Sequence, residues 1–222
     1  MDDDDTSLPA DTLAILQQFL AERTQREHDE QQLMINVTGL DAHFEEDWQL
    51  SQFWYSAETK RAIGDALAKI AKEHDNTTCF RIALLSCPSL YATIKKLHSN
   101  VNIFEYDKRF AAYGTDFVHY DYNAVDSNKD YLSHQNQCYD LIIADPPFLS
   151  EECMRKMSKI VNNLQRRSDS KIVFCSGEVV EPWLTAYLPV HKCRFQPQHE
   201  RNLGNEFVTY ANFNFDEYFD IK

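Results

Sequence analysis

From residue 79 onward, short apolar runs alternate with stretches of helical period, and this alternation constrains the fold more than any other feature of the chain. The runs FRIALLS, VNIFEY, DFVHY, YDLIIA and KIVFCS are separated by PSLYATIKKLH, KRFAAYG, a polar loop and SEECMRKMSKIVNNL, and EVVEPWLTAYL follows the last of them. Such a succession argues for βαβ units and a buried parallel sheet. The end departs from it. HKCRFQPQ and NEFVTYANFNF are separated only by HERNLG, with no helix between, so they are expected to close the sheet as an antiparallel hairpin. The fold class is therefore α/β, a doubly wound, mostly parallel sheet with a C-terminal antiparallel hairpin. Sheets of this kind bind ligands outside the carboxyl ends of their strands.

Ahead of the alternation, residues 1–8 form an acidic tail. From Pro9 to about Gln32, the residues Leu13, Leu16, Phe19 and Leu20 recur at helical spacing, giving an amphipathic helix that either packs on the domain or serves as a substrate-side arm. Residues 33–46, with a turn at Gly39, read as a linker or lid. DWQLSQFWYS then leads into AETKRAIGDALAKIAKEH, where Ser56 caps a helix whose apolar positions include Ile63, Leu67 and Ile70. We expect residues 1–46 to precede a single domain over 47–222.

Composition narrows the class of partner. Hydrophobic residues make up 43 % of the 222, with 14 Phe, 11 Tyr and 3 Trp, so a packed core is available. The formal net charge of −13 disfavours nucleic acid, because a duplex presents about one negative charge per ~1.7 Å that a binder must neutralise. An acidic surface suits a basic protein partner instead. Six cysteines (Cys79, Cys87, Cys138, Cys153, Cys175 and Cys193) contain no CxxC pair and read as reduced core thiols. The start MDDDD is unlike a signal peptide, and no apolar run approaches the ~18 residues of a membrane span. We expect a soluble, cytoplasmic monomer.

The strand ends carry the chemistry. After the first comes SCPSLY, which lacks the glycines of a nucleotide loop; Ser86, Cys87 and Pro88 can still present helix N–H groups to a ligand, or make a plain strand-to-helix turn. After the second comes IFEYDKRF, where Glu105, or Asp107 in another register, can take both hydroxyls of a ribose or pair with Lys108 or Arg109. After the third, Asp121 and Tyr122 can accept from an exocyclic amine and cover a base, or start an ordinary turn. After the fourth comes DPPF. Asp145 ends a buried run, and Pro146 and Pro147 deny N–H donors, so the turn offers only acceptors beside the Phe148 ring. Acceptors together with an aromatic face suit an amine.

Elsewhere, Trp54 and Tyr55 either cover a cofactor or belong to the core. His199, Arg201, Asn202 and Asn205, between the last two runs, serve substrate recognition or hairpin structure. His191 and Cys193 lie two apart, which strand alternation explains without a metal.

DPPF after a strand resembles the signature of amino-directed methyltransferases of the class I fold. More narrowly, DWQLSQFWYS, CPSLY, IFEYDKRFAAYG, ADPPFLSEECMRK and RNLGNEF together resemble the elongation factor 1-alpha lysine methyltransferase family, over roughly residues 10 to 213. The resemblance implies a seven-stranded sheet, S-adenosylmethionine as methyl donor and a lysine ε-amine of elongation factor 1-alpha as acceptor. It assigns Glu105 to the ribose, Asp121 to the adenine, and Asp145 and Phe148 to the amine. The alternatives are an adenine-N6 methyltransferase on DNA or RNA, since the same motif can hold the amine of a flipped base, and a non-catalytic binding module that lost the donor with its glycines.

Overall fold

The computed structural model describes residues 44–74, 79–127, 130–201 and 206–219. The acidic tail, the helix expected over 9–32, most of the 33–46 linker, Asn202 and Asn205 lie outside the described residues. In chain order the elements are α1 (Ala57–Lys72), β1 (Ile82–Leu85), α2 (Tyr91–Leu97), β2 (Val101–Glu105), β3 (Phe117–His119), β4 (Leu141–Ala144), α3 (Glu151–Leu164), β5 (Lys171–Gly177), α4 (Glu181–Tyr187), β6 (His191–Lys192) and β7 (Phe207–Ala211). Ser56 caps α1 as expected, its hydroxyl accepting from the Thr59 N–H at 3.2 Å. Ser150 does the same for α3, and Glu151 and Glu152 in the first turn favour the helix dipole.

The strands form one seven-stranded sheet in the order β3-β2-β1-β4-β5-β7-β6. Strands β1 to β5 are parallel to one another, and β7 runs antiparallel to both β5 and β6. The continuous apolarity of β1 has a direct cause. Ile82 and Leu84 face a layer built on α1, α2 and Phe215, Ala83 and Leu85 face a layer built on α3 and α4, and all four are fully buried. A strand exposed on one face would have alternated.

The C-terminal hairpin is present, but its first strand is shorter than HKCRFQPQ suggests. Pairing ends after the Cys193 N–H reaches the Thr209 carbonyl, because the Arg194 and Phe195 N–H groups turn to the Asp216 carboxylate at 2.9–3.0 Å. The core-thiol reading holds for Cys87, Cys153, Cys175 and Cys193; Cys79 is exposed and Cys138 half-buried. Those two precede β1 and β4, where the chain enters the sheet from its amino-terminal edge.

Register fixes the site. Leu85 lies opposite both Phe104 and Ala144, so the next residues, Ser86, Glu105 and Asp145, end three adjacent strands at one level. The strand order reverses between β1 and β4, which is where a doubly wound sheet opens a crevice.

Candidate active site

A cavity of about 350 Å³ occupies that crevice. Its floor is the loop after β1 (Ser86, Cys87, Pro88) and the turn after β4 (Asp145, Pro146, Pro147, Leu149); its cover is the segment Ser51 to Trp54, with His199 and Phe207 from the hairpin side. Cover and hairpin side are tied by backbone. The Ser56 N–H donates to the Gln198 carbonyl and the Glu200 N–H to the Trp54 carbonyl, both at 2.8 Å.

The turn after β1 needs no glycine: Ser86 itself adopts φ 54°, the left-handed conformation, at a cost of roughly 1–2 kcal/mol. Its N–H donates to the Phe104 carbonyl at 2.9 Å. Pro88 opens a short 3-10 helix, Pro88–Leu90, that runs into α2. The Cys87 thiol is pushed well up by burial and stays neutral.

Glu105 is 5 % exposed, and its carboxylate accepts from the Tyr106 and Asp107 N–H groups at 3.0 and 3.3 Å. Burial pushes it up to about 7 against the pull of those two donors. An ionised carboxylate offers only acceptors, and its lone pairs beyond the two N–H bonds and the Gln52 side chain could take two vicinal hydroxyls. Asp107, the other register, is instead consumed: it receives Gln52 at 3.1 Å and Arg109 at 2.7 Å, while Arg109 also donates to Gln52 at 3.1 Å. This network clips the cover segment onto the end of β2.

At the turn after β4, the Asp145 N–H donates to the Leu85 carbonyl at 3.0 Å, and its carboxylate receives the Tyr55 hydroxyl at 2.5 Å. Burial pushes the Asp145 carboxyl up to about 7, the Tyr55 hydrogen bond opposes the rise, and the Glu105 charge adds to it. His199 is pushed down to about 4 by burial and is neutral at physiological pH; its ring lies 4.8 Å from Tyr55 and 4.6 Å from Phe207.

The structure therefore brings Ser86, Cys87, Pro88, Asp145, Pro146, Pro147 and Trp54 to one cavity, with Glu105 on the adjoining strand end. Others stand apart. Phe148 is 49 % exposed and does not line the cavity; its ring sits 6.2 Å from Tyr122. Two consecutive prolines turn the chain so that Leu149 points inward in its place. Asp121 accepts from the Asn123 N–H at 2.8 Å, capping the 3-10 helix Tyr122–Asp126, and neither it nor Tyr122 lines the cavity. Tyr55 does not cover the crevice with its ring; it is buried and spends its hydroxyl on Asp145. Arg201 packs over the exposed Trp48 ring and pairs with Glu46. Among the described residues, no His, Cys, Asp and Glu side chains gather to hold a metal ion. Residue-by-residue reading missed Gln52, Phe53, Leu149 and Phe207. The first two sit inside DWQLSQFWYS, so that block held the signal; the last two look like core.

Residues 46–215 match a family model described as "Probable N6-adenine methyltransferase". A protein-lysine N-methyltransferase of Drosophila melanogaster is 64 % identical over 222 residues, covering 99 % of this chain and all of that one. EEF1A lysine methyltransferase 1 of Homo sapiens is 42 % identical over 217 residues, covering 96 % of this chain and 94 % of that one, and its Bos taurus counterpart is 43 % identical over 210 residues, covering 91 % and 85 %. The chain belongs to the family of protein-lysine N-methyltransferases that includes EEF1A lysine methyltransferase 1.

Proposed function

We propose that the protein transfers a methyl group from S-adenosylmethionine to a lysine ε-amine of translation elongation factor 1-alpha, acting as a cytoplasmic monomer on this basic protein. The observation that carries the reading is Asp145, a half-buried carboxylate at the switch point, in a turn whose prolines offer acceptors and no donors. Extended identity to named lysine methyltransferases supports the acceptor.

The residues present fit the donor. Glu105 has acceptor capacity for a ribose, and the 86–88 loop and Trp54 line the same crevice. When bound, S-adenosylmethionine supplies a methyl group already activated by its sulfonium. The chain's own residues do the rest. Asp145 and the carbonyls of Asp145 and Pro146 hold the amine by its N–H bonds, so that the nitrogen lone pair is directed into the cavity. A lysine with a reference pKa of ~10.4 arrives as an ammonium, an ionised Asp145 attracts it, and one proton passes to Asp145 or to water before the freed lone pair takes the methyl group. Leu149, Phe207 and the neutral His199 wall the approach and exclude water around the amine's stem. Phe148, exposed at the rim, and the half-buried Tyr122 beside it meet the substrate outside the cavity.

The test is intact-mass analysis of elongation factor 1-alpha after incubation with enzyme and donor. Added methyl mass with the natural chain, lost in Asp145→Ala while calorimetric donor binding persists, is the expected result. Near-normal turnover by Asp145→Ala would remove that residue from the mechanism. The adenine reading keeps two supports, the shared motif and the description of the matching family model, and a nuclease-sensitive labelled product from lysate would favour it.

A further inference from the structure

Tyr55 is held from several sides. It is 1 % exposed, its N–H reaches Ser89 Oγ at 3.4 Å, its backbone bridges to His199, and its neighbours pair with residues 198 and 200 on the facing segment. The ring rests 4.8 Å from that of His199. Thus confined, the hydroxyl donates to Asp145 Oδ2 at 2.5 Å, a hydrogen bond to an ionisable acceptor and so among the stronger kinds.

We infer that Tyr55 is a positioning residue for methyl transfer: its hydroxyl locks the Asp145 carboxylate through Oδ2, leaves Oδ1 to the acceptor amine and favours the charged form. The inference rests on the lysine methyltransferase reading above. A carboxylate free to rotate would offer the amine no fixed acceptor, and a protonated one would offer a donor where the amine needs an acceptor.

The titratable groups facing this pair come from four directions: Glu105 at the end of β2, Cys87 after β1, Cys175 on β5 and His199 opposite the ring. Burial pushes Cys175 up to about 12 and Cys87 well up, and pushes His199 down to about 4, so these three stay neutral near pH 7. Tyr55 itself is pushed well above its ordinary value, chiefly by burial, and remains a donor. Only Glu105 and Asp145 change charge in the neutral range. The experiment must therefore resolve those two.

Carboxyl-carbon NMR on full-length protein labelled at aspartate separates them, since Glu105 carries no label. In Tyr55→Phe the Asp145 midpoint should rise by about one to two pH units, the equivalent of one charge-assisted hydrogen bond. The kcat/KM for the elongation factor should then fall roughly 5- to 50-fold at pH 7 and recover as pH is raised through the new midpoint. An unmoved midpoint, or a loss of activity equal at every pH, overturns the proposal. Should Tyr55→Phe fail to fold, 3-fluorotyrosine placed at position 55 alone, a more acidic donor, must lower the midpoint; no movement overturns the proposal equally. A natural enzyme that adds no methyl to the elongation factor would sink the substrate reading, while the NMR midpoints still decide whether Tyr55 governs Asp145.

Discussion

A carboxylate at the end of a buried strand penalises the folded state increasingly as pH rises, and the surroundings of Asp145 set the window. Its folded value is pushed up to about 7 from 3.8, so the folded state holds the proton more tightly than the unfolded chain. The stability this proton linkage contributes is fully present below about pH 4 and lost as pH rises through about 7. Asp145→Asn keeps an acceptor for Tyr55 and removes the charge. It should therefore be more stable than the natural chain by roughly 2–4 kcal/mol at pH 8, a gap that closes toward pH 4, while transferring no methyl. Urea denaturation at the two pH values checks this, and an equal gap at both would show that charge is not the cause. Asp145 itself was legible in the sequence, because its signature is local: an apolar run, a carboxylate and two prolines. Its partner was not, since Tyr55 lies 90 residues away and nothing in an aromatic cluster says which hydroxyl reaches which carboxylate. Phe148 shows the converse, since nearness in sequence to Asp145 suggested a shared cavity, whereas its side chain stands exposed outside the cavity lining.

At the scale of elements, the crevice depends on how closely β5 approaches the turn after β4. Gly177 ends β5 with φ −67°, a conformation open to any residue, so its lack of a side chain is a matter of space. A Cβ there would meet Leu149 Cδ1 at 2.8 Å and Cδ2 at 3.3 Å. Leu149 lines the cavity and its end is flexible, so Gly177→Ala should push it inward rather than break the sheet. We expect a modest stability loss, below about 1.5 kcal/mol, with kcat/KM reduced severalfold, and restoration of activity in the double variant Gly177→Ala/Leu149→Ala. Steady-state kinetics on the three variants decide it, and a double variant no better than the single one would refute the steric account. The helices α1 to α4 and strands β1 to β5 were legible from their periods, with Ser56 and Ser150 marking the starts of α1 and α3, whereas KRFAAYG forms a 3-10 stretch kinked at Gly114 rather than an α-helix. The truncation of β6 was not, because the Asp216 carboxylate that takes its N–H groups comes from 22 residues further on.

On the scale of the whole molecule, the relevant quantity is the charge, −13 from 35 acidic and 22 basic side chains. Many of the basic groups are already committed: Lys60 to Glu200, Arg109 to Asp107, Arg155 and Lys159 to Asp126, and Arg166 to Asp140. The long-range field is therefore negative. It draws a basic protein toward the enzyme and repels a polyanion, and salt screens both effects over a Debye length of about 10 Å at 0.1 M. The two readings of the shared motif consequently predict opposite signs. For methylation of a basic elongation factor, kcat/KM should fall as salt is raised from 50 to 300 mM, by roughly tenfold at the low end of what steering provides. A nucleic-acid substrate would gain in encounter rate as salt rises, because screening removes the long-range repulsion. Donor affinity measured by calorimetry over the same range serves as the internal reference, since salt screens contacts inside a crevice less than those at the surface. A kcat/KM that rises with salt while donor affinity holds would count against a basic protein as substrate; a fall confined to kcat/KM would place the salt-sensitive step at encounter between the acidic enzyme and its basic partner.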